Sequence, residues 1–291
     1  MVAERTHSPI AQVARAALDS CVREPGAKKP DSILVGDGVR RQFGGVVAVD
    51  VDHIEVQRGS ITALIGPNGA GKTTLFNLLT GFDKPNTGTW SFDGRSMEKV
   101  ASHRTAALGM VRTFQLTKSL TKLSVIENMR LGATDQKGEK WWNGLFSAIW
   151  KGQEDAITKR AEGLLERFKL AHMRDEYAGA LSGGQRKLLE MARALMTDPT
   201  LVMLDEPMAG VNPALKQSLN EHIRGLRDEG MTVLFVEHDM DMVHDVSDWV
   251  IVMAEGRIIA EGTPDDISRN PAVIDAYLGA HQGRSLMEDN S

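Results

Sequence analysis

The sequence predicts an α/β fold, and three observations predict it. First, the glycine-rich stretch Gly66-Pro67-Asn68-Gly69-Ala70-Gly71-Lys72-Thr73-Thr74 lies between an apolar run at 61–65 and a helix-like segment at 74–79. Second, two more apolar runs, 201–204 and 232–236, each stop on polar residues: Asp205-Glu206 and Glu237-His238. Continuous runs of this kind suit parallel strands buried on both faces, and ligands of such sheets sit at the carboxyl ends of the strands. Third, short alternating runs between Ser32 and Ser60 predict a separate antiparallel β unit.

The glycine-rich stretch fits the pattern G-x-x-x-x-G-K-[ST], and the strand before it and helix after it are the setting that pattern needs. Gly66, Gly69 and Gly71 let the backbone curl so that its N–H groups point inward at a phosphate chain. The following helix adds its N-terminal donors and the positive end of its dipole. Lys72 brings a full charge for the outer phosphates, and the Thr73 hydroxyl can sit on Mg²⁺. Chance alone would produce the pattern in roughly one chain of this length in a hundred.

Composition bounds the rest. The 291 residues are 42% hydrophobic and 25% charged, the make-up of an ordinary globular protein. A net charge of −5 recruits neither nucleic acid nor an acidic membrane surface. One cysteine, Cys21, excludes an internal disulfide framework and fits a reducing compartment. No run reaches the ~18–20 apolar residues that span a bilayer. The first thirty residues show no signal-peptide core.

Taken in order, the chain starts with Ile10, Val13, Ala14, Ala17, Leu18 and Cys21 at helical spacing. This predicts a short amphipathic helix ended by Pro25-Gly26, within a partly disordered extension over 1–32. Three short strands follow, at 33–35, 46–49 and 54–56, with Asp50, Asp52 and His53 interrupting the alternation. Phe43, ahead of Gly44-Gly45, could stack on a base, although a lone Phe is more often core. Asp83 to Gly88 predicts a turn before a strand at 89–92, and 111–115 predicts a buried strand that ends on Gln115.

Residues 116–196 read as mostly helical. Trp142, Leu145, Phe146, Ile149 and Trp150 share a helical face that either packs internally or docks another protein. In Leu181-Ser182-Gly183-Gly184-Gln185, Ser182 and Gln185 form a capping box, and the two glycines leave N–H groups open to an anion. At the strand ends, Asp205 is the natural Mg²⁺ partner, Glu206 can orient or deprotonate water, and His238 is either a γ-phosphate contact or a surface histidine. Runs at 249–253 and 257–260, joined by Glu255-Gly256, predict a hairpin, and 264–279 a helical tail.

This constellation resembles the ATP-binding cassette family of transport ATPases from about Ile33 to Gly279. Leu-Ser-Gly-Gly-Gln is the discriminating motif, because other phosphate-loop ATPases lack it. The resemblance implies a phosphate-loop NTPase core at 33–260 with an antiparallel β subdomain and an inserted helical subdomain at about 116–196. A C-terminal helical tail at 261–291 follows. It also implies a head-to-tail dimer, in which Ser182, Gly183, Gly184 and Gln185 of one subunit close on the γ-phosphate held by the other. Implied roles follow residue by residue. Gly66, Pro67, Asn68, Gly69, Ala70, Gly71, Lys72, Thr73 and Thr74 hold the phosphates of ATP, and Phe43 stacks on its base. Thr73, Gln115 and Asp205 serve Mg²⁺, Glu206 polarises the attacking water, and His238 contacts the γ-phosphate.

Three positions depart from the family pattern: Phe43 where Tyr is common, Asn212 where many members carry Asp, and Ser60 where Glu is usual. Arg112-Thr113-Phe114-Gln115, Ala209-Gly210-Val211-Asn212-Pro213 and the tail Ala276-Tyr277-Leu278-Gly279 resemble the ATPases of branched-chain amino acid importers. A similar subunit serves urea and short-chain amide importers. The implied partners are transmembrane permease subunits, a second ATPase subunit (the same chain or a paralogue) and, indirectly, a solute-binding protein. The implied place is the cytoplasmic face of the plasma membrane. Competing readings are an exporter subunit and a soluble cassette ATPase acting on ribosomes or DNA. Against the soluble reading, the chain carries one cassette, no coiled-coil insertion and no basic stripe for nucleic acid.

Overall fold

The computed structural model describes residues 8–113, 121–133 and 147–278. It opens on α1 (Pro9–Asp19), where the Ser8 hydroxyl accepts the Ile10 N–H. Ala11, Ala14 and Leu18 form its buried stripe, Ile10 lies against Gly59 and Gly230, and Arg15 pairs with Asp248 at 2.7 Å. Residues 8–31 of the extension are thus packed against the rest of the chain. The reason is farther along: Lys29 and Glu261 form an ion pair at 2.9 Å with both side chains buried, which staples the segment down.

The three short strands expected next are two long ones, β1 (Ser32–Phe43) and β2 (Val46–Gln57), paired antiparallel. An antiparallel sheet can leave one face wet, so Asp50 and His53 do not end β2. Asp50 meets Arg257 at 3.0 Å, and His53 lies between Asp37 at 2.6 Å and Glu55 at 3.0 Å. The chain then enters β3 (Ile61–Ile65) and α2 (Lys72–Leu79), and returns to the antiparallel sheet as β4 (Thr87–Phe92) and β5 (Arg95–Ser96). That sheet runs β2-β1-β4-β5.

After the short α3 (Ser102–Thr105), β6 (Met110–Thr113) begins the far edge of a second sheet. The expected helical stretch contains α4 (Val125–Arg130), α5 (Ser147–Arg167) and α6 (Gly183–Ala194). Gln115 lies outside the described residues, as do Trp142, Leu145 and Phe146 and the side chains of Ile149 and Trp150, so the expected tryptophan face does as well. Next come β7 (Leu201–Asp205), α7 (Pro213–Asp228), β8 (Thr232–Val236), α8 (Met240–Val246), β9 (Trp249–Ala254) and β10 (Arg257–Gly262). The β9–β10 hairpin turns on Glu255 and Gly256, both at positive φ, the geometry of a tight hairpin turn. The predicted single helical tail is split into α9 (Pro264–Ser268) and α10 (271–278). Pro271 disfavours helix at the residue before it, and Asn270 instead accepts the Ala272 N–H at 3.0 Å.

The second sheet runs β10-β9-β3-β8-β7-β6, parallel throughout except at β10. Strand alternation divides its side chains between two cores. Leu64, Met203, Leu234, Val236 and Ile251 pack with Leu75 and Phe76 of α2 and with the antiparallel sheet. Ala63, Val202, Leu204, Val233 and Phe235 face α6, α7 and α8. Both faces are covered, which is why these strands read as unbroken apolar runs.

Candidate functional site

Sheet register brings the predicted polar ends together. Leu64 of β3 pairs with Val236 of β8, and Val236 pairs with Asp205 of β7. The ends of three adjacent strands therefore form one row, in which Asp205 lies about two strand spacings, ~10 Å, from the start of the glycine-rich loop. His238 follows β8 in the middle of that row. Its side chain is 64% exposed, so it is open to a ligand rather than part of the core.

The loop is shaped by close backbone approach. Gly66 sits at φ 148°, where a Cβ would fall 2.1 Å from the Met253 carbonyl oxygen. Gly71 sits at φ 95°, where a Cβ would fall 2.2 Å from the Ala48 carbonyl oxygen. Only glycine fits either place. Lys72 Nζ donates to the carbonyls of Gly66 at 2.7 Å and Pro67 at 2.9 Å. Burial lowers the pKa of Lys72, and the nearby Glu206 carboxylate works against that shift. Glu206 itself holds a left-handed backbone at φ 45°, uncommon for a residue with a side chain and frequent at functional sites. Its N–H donates to the Val236 carbonyl at 3.0 Å. The tail also reaches this loop: burial raises the Tyr277 hydroxyl pKa, while the adjoining Gly66 backbone pulls it down.

Alternation places Asp205 on the α2 face with Met203, the side from which Thr73 comes in the first turn of α2. One carboxylate and one hydroxyl are a sparse set of hard oxygen donors. Such a set suits Mg²⁺ when phosphates and water supply the remaining ligands. Among the described residues, no group of three or more His, Cys, Asp or Glu could hold a metal alone. The residues present thus fit a metal that arrives with its phosphates.

Phe43 is half-exposed at the end of β1, opposite Val46, with the Arg41 guanidinium 4.6 Å from its ring centre. The simple core reading of Phe43 is therefore corrected. It stands at the β1–β2 turn, and its strand partner Val46 is two residues along β2 from Ala48, whose carbonyl lies against Gly71.

The capped helix end is a separate element. Ser182 Oγ accepts the Gln185 N–H at 3.2 Å, and Gln185 Oε1 accepts the Ser182 N–H at 3.0 Å. Gly183 opens on free space, while Gly184 is pressed against Leu215 of α7. Its neighbours are therefore on α7, whereas those of the glycine-rich loop are on β2 and β9. Asn212 caps α7, its side chain accepting the Leu215 N–H at 3.0 Å, and Ser60 is fully buried, donating to the Gln57 carbonyl at 2.7 Å. Both departures from the family pattern thus have local structural work.

Two residues assigned no role in the site from sequence also belong here. Arg112 of β6 pairs with Asp205 at 2.6 Å, and buried Glu237 accepts the N–H groups of Met208 at 2.8 Å and His238 at 3.1 Å. Arg112 was marked only as part of a subfamily motif, and Glu237 only by its place at a strand end.

Residues 49–209 match the ABC transporter family model, and residues 257–282 match the model for branched-chain amino acid ATP-binding cassette transporters. The probable branched-chain amino acid transport ATP-binding protein LivG of Archaeoglobus fulgidus is 43% identical over 85% of this chain and 96% of its own length. The high-affinity branched-chain amino acid transport ATP-binding protein BraF of Pseudomonas aeruginosa is 39% identical over 85% and 98%. A crystal structure of the ADP conformation of an ATP-binding cassette from an ABC transporter superposes with a TM-score of 0.75, at 37% identity over 85% of this chain and 99% of that one.

Proposed function

The chain belongs to the ATP-binding cassette transporter ATPases, in their branched-chain amino acid group, and from that premise we propose how its residues divide the work. It is the ATP-hydrolysing subunit of an amino acid importer. The observation that carries the division is the row Leu64, Val236, Asp205, which sets the phosphate loop, His238 and the paired acids at one edge.

In this reading, Lys72 gives up its contacts with Gly66 and Pro67 to the outer phosphates, and the loop N–H groups take the rest of the chain of anions. Phe43 stacks on the base. Thr73 and Asp205, with Gln115, hold Mg²⁺, which neutralises charge on the phosphates. Glu206, held in a left-handed turn, orients the attacking water, and His238 reaches the γ-phosphate. Most of the rate effect is positioning and charge stabilisation.

Ser182 to Gln185 serves the other half of a dimer. Its open Gly183 and helix N-terminus close on the γ-phosphate held by a second ATPase subunit, itself or a paralogue. Transmembrane permease subunits dock on the helical lobe at the cytoplasmic face, and a solute-binding protein acts through them. No helix among the described residues is long and apolar enough to cross a membrane, so those partners supply the span.

The test is reconstitution of the chain with the membrane proteins that co-purify with it in detergent. Hydrolysis that rises several-fold with a leucine-, isoleucine- or valine-loaded binding protein is the expected result. Stimulation by urea or amides alone would reassign the solute. Stimulation by RNA or DNA with no membrane partner would overturn the reading.

A further inference from the structure

Arg112 is placed by two elements at once. It pairs across β6–β7 with Met203, so alternation puts it on the same face as Asp205, beneath α2. Nη2 donates to Asp205 Oδ2 at 2.6 Å, and both side chains are only 8% exposed. From the other side, Nη1 donates to Asn77 Oδ1 at 2.7 Å and to Thr80 Oγ1 at 3.3 Å, both on or at the end of α2. The guanidinium also lies 5.3 Å from the Phe76 ring centre and 5.7 Å from that of Phe82. This cation is therefore fixed by α2 and not by Asp205 alone.

We propose that Arg112 is the counter-ion of Asp205 and keeps divalent metal from settling on that carboxylate except as a nucleotide complex. The proposal rests on the reading of Asp205 as the Mg²⁺ partner. A fixed positive charge in bonding contact with a buried carboxylate repels a second cation and occupies Oδ2. ATP changes that balance, because its phosphates bring negative charge of their own to the same edge of the sheet. The arrangement also joins β6, which leads to Gln115, to both α2 and the metal carboxylate. It makes metal and nucleotide arrive together, so that the strand before Gln115 responds to the complex and not to free metal.

The experiment follows the electron paramagnetic resonance signal of free Mn²⁺ titrated into the full chain without nucleotide, then with ADP. The wild type is expected to leave most Mn²⁺ free until ADP is added. Arg112→Met should bind Mn²⁺ alone about tenfold more tightly, the scale of removing one close charge from a partly screened site. Arg112→Lys, which keeps the charge, should stay near wild type. Arg112→Met combined with Asp205→Asn should lose the gain. Because Arg112→Met leaves a buried carboxylate unpaired, its thermal midpoint is read as well, and should rise on adding Mn²⁺ where that of the wild type does not; Arg112→Gln gives a second charge-free variant. No gain in Mn²⁺ affinity in either charge-free variant, or a gain that survives Asp205→Asn, overturns the proposal. The underlying reading has its own control: Asp205→Asn alone should weaken Mn²⁺·ADP binding, and if it does not, Asp205 is not the metal partner.

Discussion

Glu237 accepts the backbone N–H of Met208 at 2.8 Å through a carboxylate that is almost wholly buried. Its other oxygen accepts the N–H of His238 at 3.1 Å. One side chain thus fixes the turn after Glu206 relative to the backbone of His238. Glu237→Gln keeps the shape but supplies a single oxygen, leaving one buried N–H unmatched. We expect a loss of about 1–3 kcal/mol in stability, the cost of one unsatisfied buried group. We also expect kcat to fall about tenfold or more while KM for ATP stays within about twofold, because ground-state contacts lie elsewhere. Denaturant unfolding and steady-state hydrolysis read the two effects separately. Equal losses in kcat and in ATP affinity would mean that Glu237 supports the binding loop instead.

Glu206→Gln tests the water-orienting assignment. The substitution is isosteric and preserves the N–H bond to Val236, so the fold and the left-handed turn should persist. The loss of a general base should lower kcat by about 10²–10⁴-fold. ATP should still bind, and the protein should accumulate as a dimer on size exclusion with Mg²⁺·ATP. Normal turnover by this variant would move the base to another residue.

What the sequence revealed tracks the physics of each signal. The phosphate loop, the capping box and the paired acids were legible because glycine geometry, cap chemistry and buried-strand patterns are local. β1 and β2 were underestimated because Asp50 and His53 look like strand breakers until their partners, Arg257 and Asp37, are placed beside them by the fold. Arg112 and Glu237 were not legible for the same reason. A polar residue near a strand end gains its meaning only when the register shows which neighbour it faces. Asn212 and Ser60, read as departures from a family pattern, proved to be a helix cap and a buried turn hydroxyl.

Gly66 and Gly184 both exclude a side chain, but with different consequences. At Gly66 a Cβ would fall 2.1 Å from a backbone oxygen of Met253, which cannot move without displacing β9. Gly66→Ala should therefore abolish binding of a fluorescent ATP analogue. At Gly184 the obstacle is Leu215 Cδ2 at 1.6 Å, the end of a flexible side chain. Gly184→Ala should fold with a penalty of about 1–3 kcal/mol from overpacking. The isolated chain should still bind the analogue normally, while ATP-driven dimerisation of Glu206→Gln should be lost when Gly184→Ala is added. Loss of nucleotide binding in the Gly184 variant would argue that the capped helix end serves its own subunit's site.

The N-terminal segment makes the last prediction. Glu261 Oε2 receives Lys29 Nζ at 2.9 Å and Trp249 Nε1 at 3.0 Å, and Oε1 receives the Gly26 N–H at 2.8 Å. Lys29 also lies 4.5 Å from the Trp249 ring centre. The side chains of the pair are 1% and 0% exposed, so neither charge can turn to water if the other is removed. Breaking a buried pair from one side costs about 3–5 kcal/mol, whereas replacing both partners with apolar residues of similar size is often neutral. Lys29→Met should therefore lower stability by about that amount in denaturant unfolding, and Glu261→Gln added to it should recover much of the loss. Removing residues 1–31 should be at least as costly as Lys29→Met, because it takes away the Gly26 and Lys29 donors together and uncovers the face on which α1 packs. If the truncated chain unfolds at the same denaturant concentration as the intact one, the segment contributes no net stability to the cassette, and its buried ion pair only balances its own desolvation.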